Sequence, residues 1–252
     1  MDKKMDKESY RNFAGVYDTF MDDVPYKQWA GHIDKVLGQF GIPKGAILLD
    51  IACGTGTMAF LMAQKGYELI GTDKSSDMLS EAYSKRSGGG VDENGILFLN
   101  QDILELDLYG TVDAAYSTCD SLNYLLTEEE LAKALANVSL FLNPNGVFIF
   151  DLKTENKYRQ MGDNTYNDIA GDASYIWKNQ YNPDTRINEY RIHFLIEGGP
   201  NFWEVHRQRA FGMAEVKQAA QKAGLTVESV TDGYTDSPAR ADSERVVYVC
   251  KR

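Results

Sequence analysis

The chain has little basic charge, few cysteines and no long apolar run, and each shortage excludes something. Its 37 Asp and Glu outnumber 26 Lys and Arg, for a formal charge of −11. Nucleic-acid affinity rests on clustered Lys and Arg, so the charge argues against a broad polyanion-binding face, while a local basic patch and a nucleic-acid partner stay open. The three cysteines, Cys53, Cys119 and Cys250, lie far apart with no CxxC pair. That spacing builds neither a disulfide framework nor a metal site, and free thiols in a reducing compartment are expected. No apolar run reaches the length of a membrane span. The charged segment Met1 to Lys7 lacks the apolar core of a signal peptide. These absences predict a cytoplasmic protein with no membrane partner. Internal repeats, a Ser-His-Asp order and metal-ligand spacing are also missing.

What is present is enough for a sizeable core: 252 residues, 43% of them hydrophobic. Two helices are expected first, around Glu8 to Phe20 and Tyr26 to Phe40. Strands and helices then alternate. Ala46 to Ile51 reads as strand, Thr57 to Lys65 as helix, Tyr67 to Asp73 as strand, Ser76 to about Arg86 as helix, and Ile96 to Asn100 as strand. Val112 to Thr118 follows as strand. Thr127-Glu128-Glu129-Glu130 has capping-box spacing before a helix with Leu131, Leu135, Val138 and Leu142 on one stripe. The turn Asn143-Pro144-Asn145-Gly146 then leads to an apolar strand, Val147 to Leu152. This order predicts an α/β fold with a doubly wound, mainly parallel sheet. After Thr154 the period changes to two. Tyr175 to Tyr181, Ile187 to Ile196 and Phe202 to Phe211 read as a three-stranded antiparallel β meander inserted in the core. A helix at Met213 to Ala223 and strands at Leu225 to Thr231 and Val246 to Cys250 close the chain, the last two as an antiparallel edge.

The most informative stretch runs from Leu48 to Thr57, an apolar strand ending in Asp50 and followed by Gly54-Thr55-Gly56 before a helix. Glycines allow a tight bend and close ligand approach, and the helix start offers unpaired N–H groups. Gly54-x-Gly56-x-x-Ala59 with Asp73 after the next strand fits a dinucleotide fingerprint, so a nicotinamide-dependent oxidoreductase is one reading. Asp50 favours another. An anion at the end of the first strand opposes a pyrophosphate but attracts an ammonium or sulfonium. Asp102, after the third strand, is placed to accept from an adenine amino group. A cationic, phosphate-free adenosine ligand therefore fits better.

The block Asp50 to Gly56, with Asp73, Asp102-Ile103 and the Asn143 to Gly146 turn, resembles the class I S-adenosylmethionine (SAM)-dependent methyltransferase family. The resemblance implies a seven-stranded Rossmann-like methyltransferase sheet and SAM as cofactor. It implies that Gly54 and Gly56 lie beneath the methionine part, that Asp73 binds the ribose hydroxyls, that Asp102 and the Ile103 backbone hold adenine, and that Cys119 lines the methionine pocket. Tyr17, Asp50, Cys53, Lys74 and Met78 complete the expected cofactor set. The Tyr17-Asp18 helix and the insert make the chain similar to small-molecule N-methyltransferases, amino-sugar N,N-dimethyltransferases among them. It is expected to divide into a helical cap (1–45), a SAM-binding core (46–155), an antiparallel insert serving as substrate lid or dimer surface (156–211), and C-terminal elements completing the sheet (212–252).

Methyl transfer needs alignment and water exclusion more than a strong base. Tyr17, Asp120, Asn123 and His193 are the candidate catalytic residues, with Tyr124, Asp151, Lys153, His206, Arg207 and Arg209 as further acceptor-side groups. Each has a plainer reading. Tyr10, Phe13 and Tyr17 at helical spacing suit core packing, the histidines and arginines suit a solvated sheet face, Asp120 suits a turn cap, and Trp177 and Trp203 suit lid packing or a dimer contact. The triple glycine 88–90 reads as a plain loop. Base methylation is disfavoured because Cys119-Asp120-Ser121-Leu122 stands where those enzymes carry Asn/Asp-Pro-Pro-Tyr/Phe. The expected function is methyl transfer to a small polar acceptor, at nitrogen, by a monomer or homodimer. A tRNA/RNA-modifying methyltransferase is the alternative.

Overall fold

The computed structural model describes residues 14–87, 96–170 and 173–252. The expected helix start at Glu8, with Tyr10 and Phe13, and the triple glycine 88–90 lie outside these residues. Two helices lead, α1 (Ala14–Phe20) and α2 (Tyr26–Gln39). Alternation follows: β1 (Ile47–Ile51), α3 (Thr57–Gln64), β2 (Glu68–Asp73), α4 (Ser76–Ser87), β3 (Ile96–Asn100), β4 (Val112–Ser117), α5 (Glu128–Phe141) and β5 (Leu142–Lys153). Next come α6 (Glu155–Met161), β6 (Thr165–Ala170), β7 (Ala173–Asn182), β8 (Ile187–Ile196) and β9 (Phe202–Arg209). The last elements are α7 (Met213–Lys222), β10 (Thr226–Asp232) and β11 (Arg245–Lys251).

Seven strands form one sheet in the order β10-β11-β5-β4-β1-β2-β3. β1 to β5 are parallel, and β11 runs antiparallel to both its neighbours, β5 and β10. Period-two alternation in β1 explains the double winding. Leu48 joins the core under α2, α3 and α4, while Leu49 and Ile51 join the core under α5 and α7. The α5 capping box forms as its spacing predicts. The Thr127 hydroxyl accepts from the Glu130 amide at 3.1 Å, and Glu130 accepts from the Thr127 amide at 3.3 Å; such a cap contributes about 1 kcal/mol.

Two expectations need correction. The Asn143 to Gly146 turn is absorbed into β5 as an irregularity: Val112 pairs with Leu142 but Ala114 already pairs with Val147. The surplus residues bulge out, with Asn145 at φ 67°. The insert is also larger than a three-stranded meander. It is a separate four-stranded antiparallel sheet, β6-β7-β8-β9. Helix α6 precedes it, capped by the Thr154 hydroxyl accepting from the Lys157 amide. β6 escaped notice because Thr165 to Ala170 alternates only weakly; it is held by its pairing with β7.

Candidate active site

The chain order reverses between β1 and β4, where such sheets leave a crevice beyond the strands' carboxyl ends. The strands end there in strained backbone. Ala52 after β1 has φ 54°, and Cys119 and Asp120 after β4 have φ 59° and 51°. Left-handed non-glycine residues are costly and concentrate at functional sites.

A first cavity, about 310 Å³, opens over this crevice. Tyr17, Asp50, Cys53, Gly54, Asp73, Lys74, Met78, Asp102, Ile103 and Cys119 line it, so every expected cofactor residue is brought to it except Gly56. Gly56 stands behind the wall, capping α3 at φ 80°, where a Cβ would meet Phe98 and Phe60 at 3.0 and 3.1 Å. Gly54 has φ 55°, and its Cβ would meet the Met78 methyl at 3.1 Å. The turn is held from β2: Asp73 accepts from the Gly54 amide at 2.9 Å and from the Ser75 amide at 2.8 Å. Asp102 caps the short turn Ile103–Glu105 by accepting from the Leu104 amide at 2.9 Å.

The cavity is acidic. Asp50, Asp73, Asp102 and Glu130 line it, and among the described residues Lys74 is its one cation. Asp50 is 1% exposed, and its Oδ2 has no hydrogen-bond partner among the described residues. Burial pushes its carboxyl well up, against the nearby Tyr116 hydroxyl, which stands outside hydrogen-bonding geometry. A carboxylate so placed is complementary to a cationic ligand. Burial likewise raises Asp73, although the Ser75 and Gly54 amides favour its anion. This chemistry fits SAM: a tight turn at Gly54 where a Cβ would crowd Met78, carboxylates at the ends of β1 and β2, and no concentration of positive charge for phosphate.

A second cavity, about 280 Å³, adjoins the first and shares Tyr17, Cys119 and Tyr124 with it. Its walls are aromatic. Tyr175, Trp177, Tyr190 and Phe194 come from the inward face of the insert, and Phe20 and Trp29 from α1 and α2. Helix α1 bridges the two halves. Asp18 accepts from the Thr55 hydroxyl at 2.6 Å and pairs with Lys85 at 2.5 Å on one side, while Phe20 packs edge-on to Tyr175 at 4.9 Å on the other. Tyr17 lies between them. Burial raises its phenol well above the ordinary value, so it stays neutral beside Tyr26.

The floor of the second cavity is a charge cluster. Asp120 pairs with Arg245 at 2.7 Å and Lys153 at 3.1 Å, and accepts from the Gln208 amide side chain at 2.8 Å. Arg245 also pairs with Asp151, which in turn accepts from the Asp120 amide at 3.0 Å. Burial opposes the Asp120 anion, but Lys153 and Arg245 outweigh it and hold the carboxyl at about 2. Asp120 is therefore a fixed anion rather than a base. His206 faces the same cavity, its Nδ1 3.2 Å from the Tyr124 hydroxyl. Burial, helped by Lys74, lowers it to about 4 and keeps the ring neutral.

Two candidates fall elsewhere. Asn123 lines neither cavity. Its carboxamide donates to the Lys153 and Arg209 carbonyls at 3.0 and 2.8 Å and accepts from the Lys153 amide at 3.0 Å, tying β5 to β9. His193 sits on the outer face of the insert, stacked on Trp203 at 4.2 Å, because β8 turns Tyr190, Ile192 and Phe194 inward. Arg207 and Arg209 share that outer face. Arg207 pairs with Glu189 at 2.8 Å, and Arg209 with Glu215 at 3.1 Å. Sequence reasoning missed Tyr190, Gln208 and Arg245. The signal for Tyr190 was the shared face with Ile192 and Phe194; Arg245 carried none beyond preceding an apolar strand.

Comparison with known proteins agrees with the geometry. Residues 48–146 match a family model described as a methyltransferase domain. The chain is 35% identical to the candidate methyltransferase YqeM of Bacillus subtilis (strain 168), over 96% of this chain and 97% of that one. It is 26% identical to a dTDP-3-amino-3,4,6-trideoxy-alpha-D-glucopyranose N,N-dimethyltransferase of Streptomyces venezuelae, over 76% and 80%. A crystal structure of an S-adenosylmethionine-dependent methyltransferase from Clostridium acetobutylicum ATCC 824 superposes with a TM-score of 0.85 at 29% identity, covering 96% of this chain and 98% of the other. No helix among the described residues is long and apolar enough to cross a membrane.

Proposed function

This chain belongs to the S-adenosylmethionine-dependent methyltransferases, and we propose that it methylates the nitrogen of a small amine held in the aromatic cavity. The carrying observation is the junction. The acidic cavity and the aromatic cavity meet at Tyr17, Cys119 and Tyr124, so a donor in one and an acceptor in the other face each other across three side chains. When bound, SAM supplies an electrophilic methyl on a positively charged sulfur. Asp50 would meet that positive charge, Asp73 and Asp102 would hold the adenosine hydroxyls and base, and Cys53 and Met78 would pack against the methionine chain. Tyr17 closes the junction from α1.

Aromatic faces suit an amine on both sides of transfer, because ring quadrupoles stabilise a cation. An ammonium must first lose its proton to expose the nitrogen lone pair. Asp120, held at about 2 beneath its two cations, is a poor acceptor for that proton. The imidazole of His206, bonded to Tyr124 at the junction, is lowered to about 4 and is a poor acceptor as well, so the amine has to enter the cavity in its neutral form. The Streptomyces venezuelae relative dimethylates an amino sugar, which supports a nitrogen nucleophile of modest size. Incubation of the protein with methyl-labelled SAM and fractionated cell extract tests the reading. Label should enter a low-molecular-weight amine; label confined to RNA or protein, or no transfer at all, sinks it.

A further inference from the structure

The floor of the acceptor cavity offers hydrogen-bond donors in excess of acceptors, and that imbalance identifies the ligand it takes. Asp120 Oδ1 holds Arg245, and Asp120 Oδ2 holds Gln208 and Lys153. Asp151 Oδ1 accepts from the Asp120 amide and its Oδ2 holds Arg245. Every oxygen of the two carboxylates is engaged. The cations are less fully consumed. The Lys153 ammonium has three N–H groups; one meets Asp120 and one the Tyr190 hydroxyl at 3.2 Å. Its third has no acceptor among the described residues. Trp177, on the other flank of Tyr190 with ring centroids 5.1 Å apart, also lines the cavity. Its buried indole N–H likewise has no acceptor among the described residues. Exposure follows the same sense: Lys153 is 16% exposed against 10% for Asp120, and Arg245 24% against 0% for Asp151. Of the two carboxylates only Asp120 lines the cavity, beside both Lys153 and Arg245.

Resting on the reading of this cavity as the acceptor site, we propose that the acceptor is an amino-acid-like amine whose carboxylate docks on Lys153 and Trp177 while its side chain lies among Phe20, Tyr175 and Phe194. The spacing along the chain supports closely placed amine and carboxylate. Asp120, which carries Lys153, directly follows Cys119, which lines the junction with the donor cavity. An anion bound at Lys153 is thus near the point of transfer. A charge-assisted hydrogen bond from Lys153 is stronger than a neutral one, and an aromatic side chain matches the rings of the wall.

Three probes of one skeleton separate the possibilities: L-phenylalanine, L-phenylalaninamide and phenethylamine. Each is titrated into protein saturated with S-adenosylhomocysteine, with the fluorescence of Trp29 and Trp177 as readout. L-Phenylalanine is expected to bind about tenfold more tightly than phenethylamine, with the amide between them. Lys153→Met is expected to remove that preference by weakening L-phenylalanine, and Trp177→Phe to weaken L-phenylalanine about threefold. The proposal is overturned if phenethylamine binds as well as L-phenylalanine or if neither substitution alters the order. It is equally overturned if L-phenylalanine shows no binding at about 10 mM, which corresponds to a negligible affinity. Label from SAM entering extract amines that lack a carboxylate defeats this proposal alone; no label entering any amine defeats the reading it rests on.

Discussion

The donor and acceptor cavities are close in size but are built in opposite ways. The donor cavity is made by short segments that follow consecutive parallel strands, at 50–54, 73–74, 102–104 and 118–119. It is acidic, and two of its carboxylates, Asp73 and Asp102, accept from backbone amides of the turns beside them. The acceptor cavity draws on α1, α2, the end of β5, three strands of the insert and the start of β11. Its charges pair with one another across as many as 125 residues of sequence. A site made of strand ends tolerates little change in its turns. A site made by docking two sheets depends on the pairs that join them.

The largest effect expected from this contrast is at the donor turn. Gly54→Val forces a branched side chain into a left-handed position against Met78, and Asp73→Ala releases the Gly54 and Ser75 amides. Each should weaken SAM binding by about 100-fold or more, measured by calorimetry. Near-normal binding in either variant would show that the turn is not the cradle.

Breaking the acceptor floor should instead cost stability. Arg245→Met leaves the buried Asp151 without its cation and Asp120 with Lys153 alone. We expect a loss of about 3 kcal/mol in urea unfolding, with SAM affinity in the folded protein kept within a few-fold. An equal loss of SAM affinity would erase the distinction between the two halves.

His206 supplies a pH signature. Its native value of about 4 lies below the ordinary 6.5, so the unfolded chain binds the extra proton between these limits. Stability should be full above pH 6.5 and fall as pH drops toward 4, by at most about 3 kcal/mol from this group. His206→Gln should flatten that part of the profile. Asp120 acts lower: its depressed value of about 2 makes its contribution present above pH 4 and lost as pH falls through 2. The smallest effect is expected at His193. His193→Ala removes a stacked pair on the outer face, for a loss of about 1 kcal/mol or less, and should leave methyl transfer unchanged. A large loss of transfer there would place the acceptor on the wrong face of the insert.

The two cavities were unequally legible. Asp50, Gly54, Asp73 and Asp102 were readable because each follows a recognisable strand at a fixed short distance, and that distance is set by local geometry. For Asn123 the sequence placed a polar side chain near the site without revealing that three main-chain groups would consume it. For the histidines, strict alternation in the strands marked His193 and Tyr190 as opposite, but not which faced inward. Arg245 carried no local sign of its role, since its partners Asp120 and Asp151 belong to other strands.

The sequence by itself determined the α/β sheet, the carboxylates and glycine turn that line its crevice, and SAM as the cofactor, because apolar periodicity and the spacing of carboxylates after strands act over a few residues. Only the tertiary structure decided which face of the insert forms a wall, that Asp120 is locked between Lys153 and Arg245, and that Tyr17, Cys119 and Tyr124 stand where two cavities meet. Those facts depend on contacts between distant segments, and a buried charge finds its partner only when the chain has folded around it.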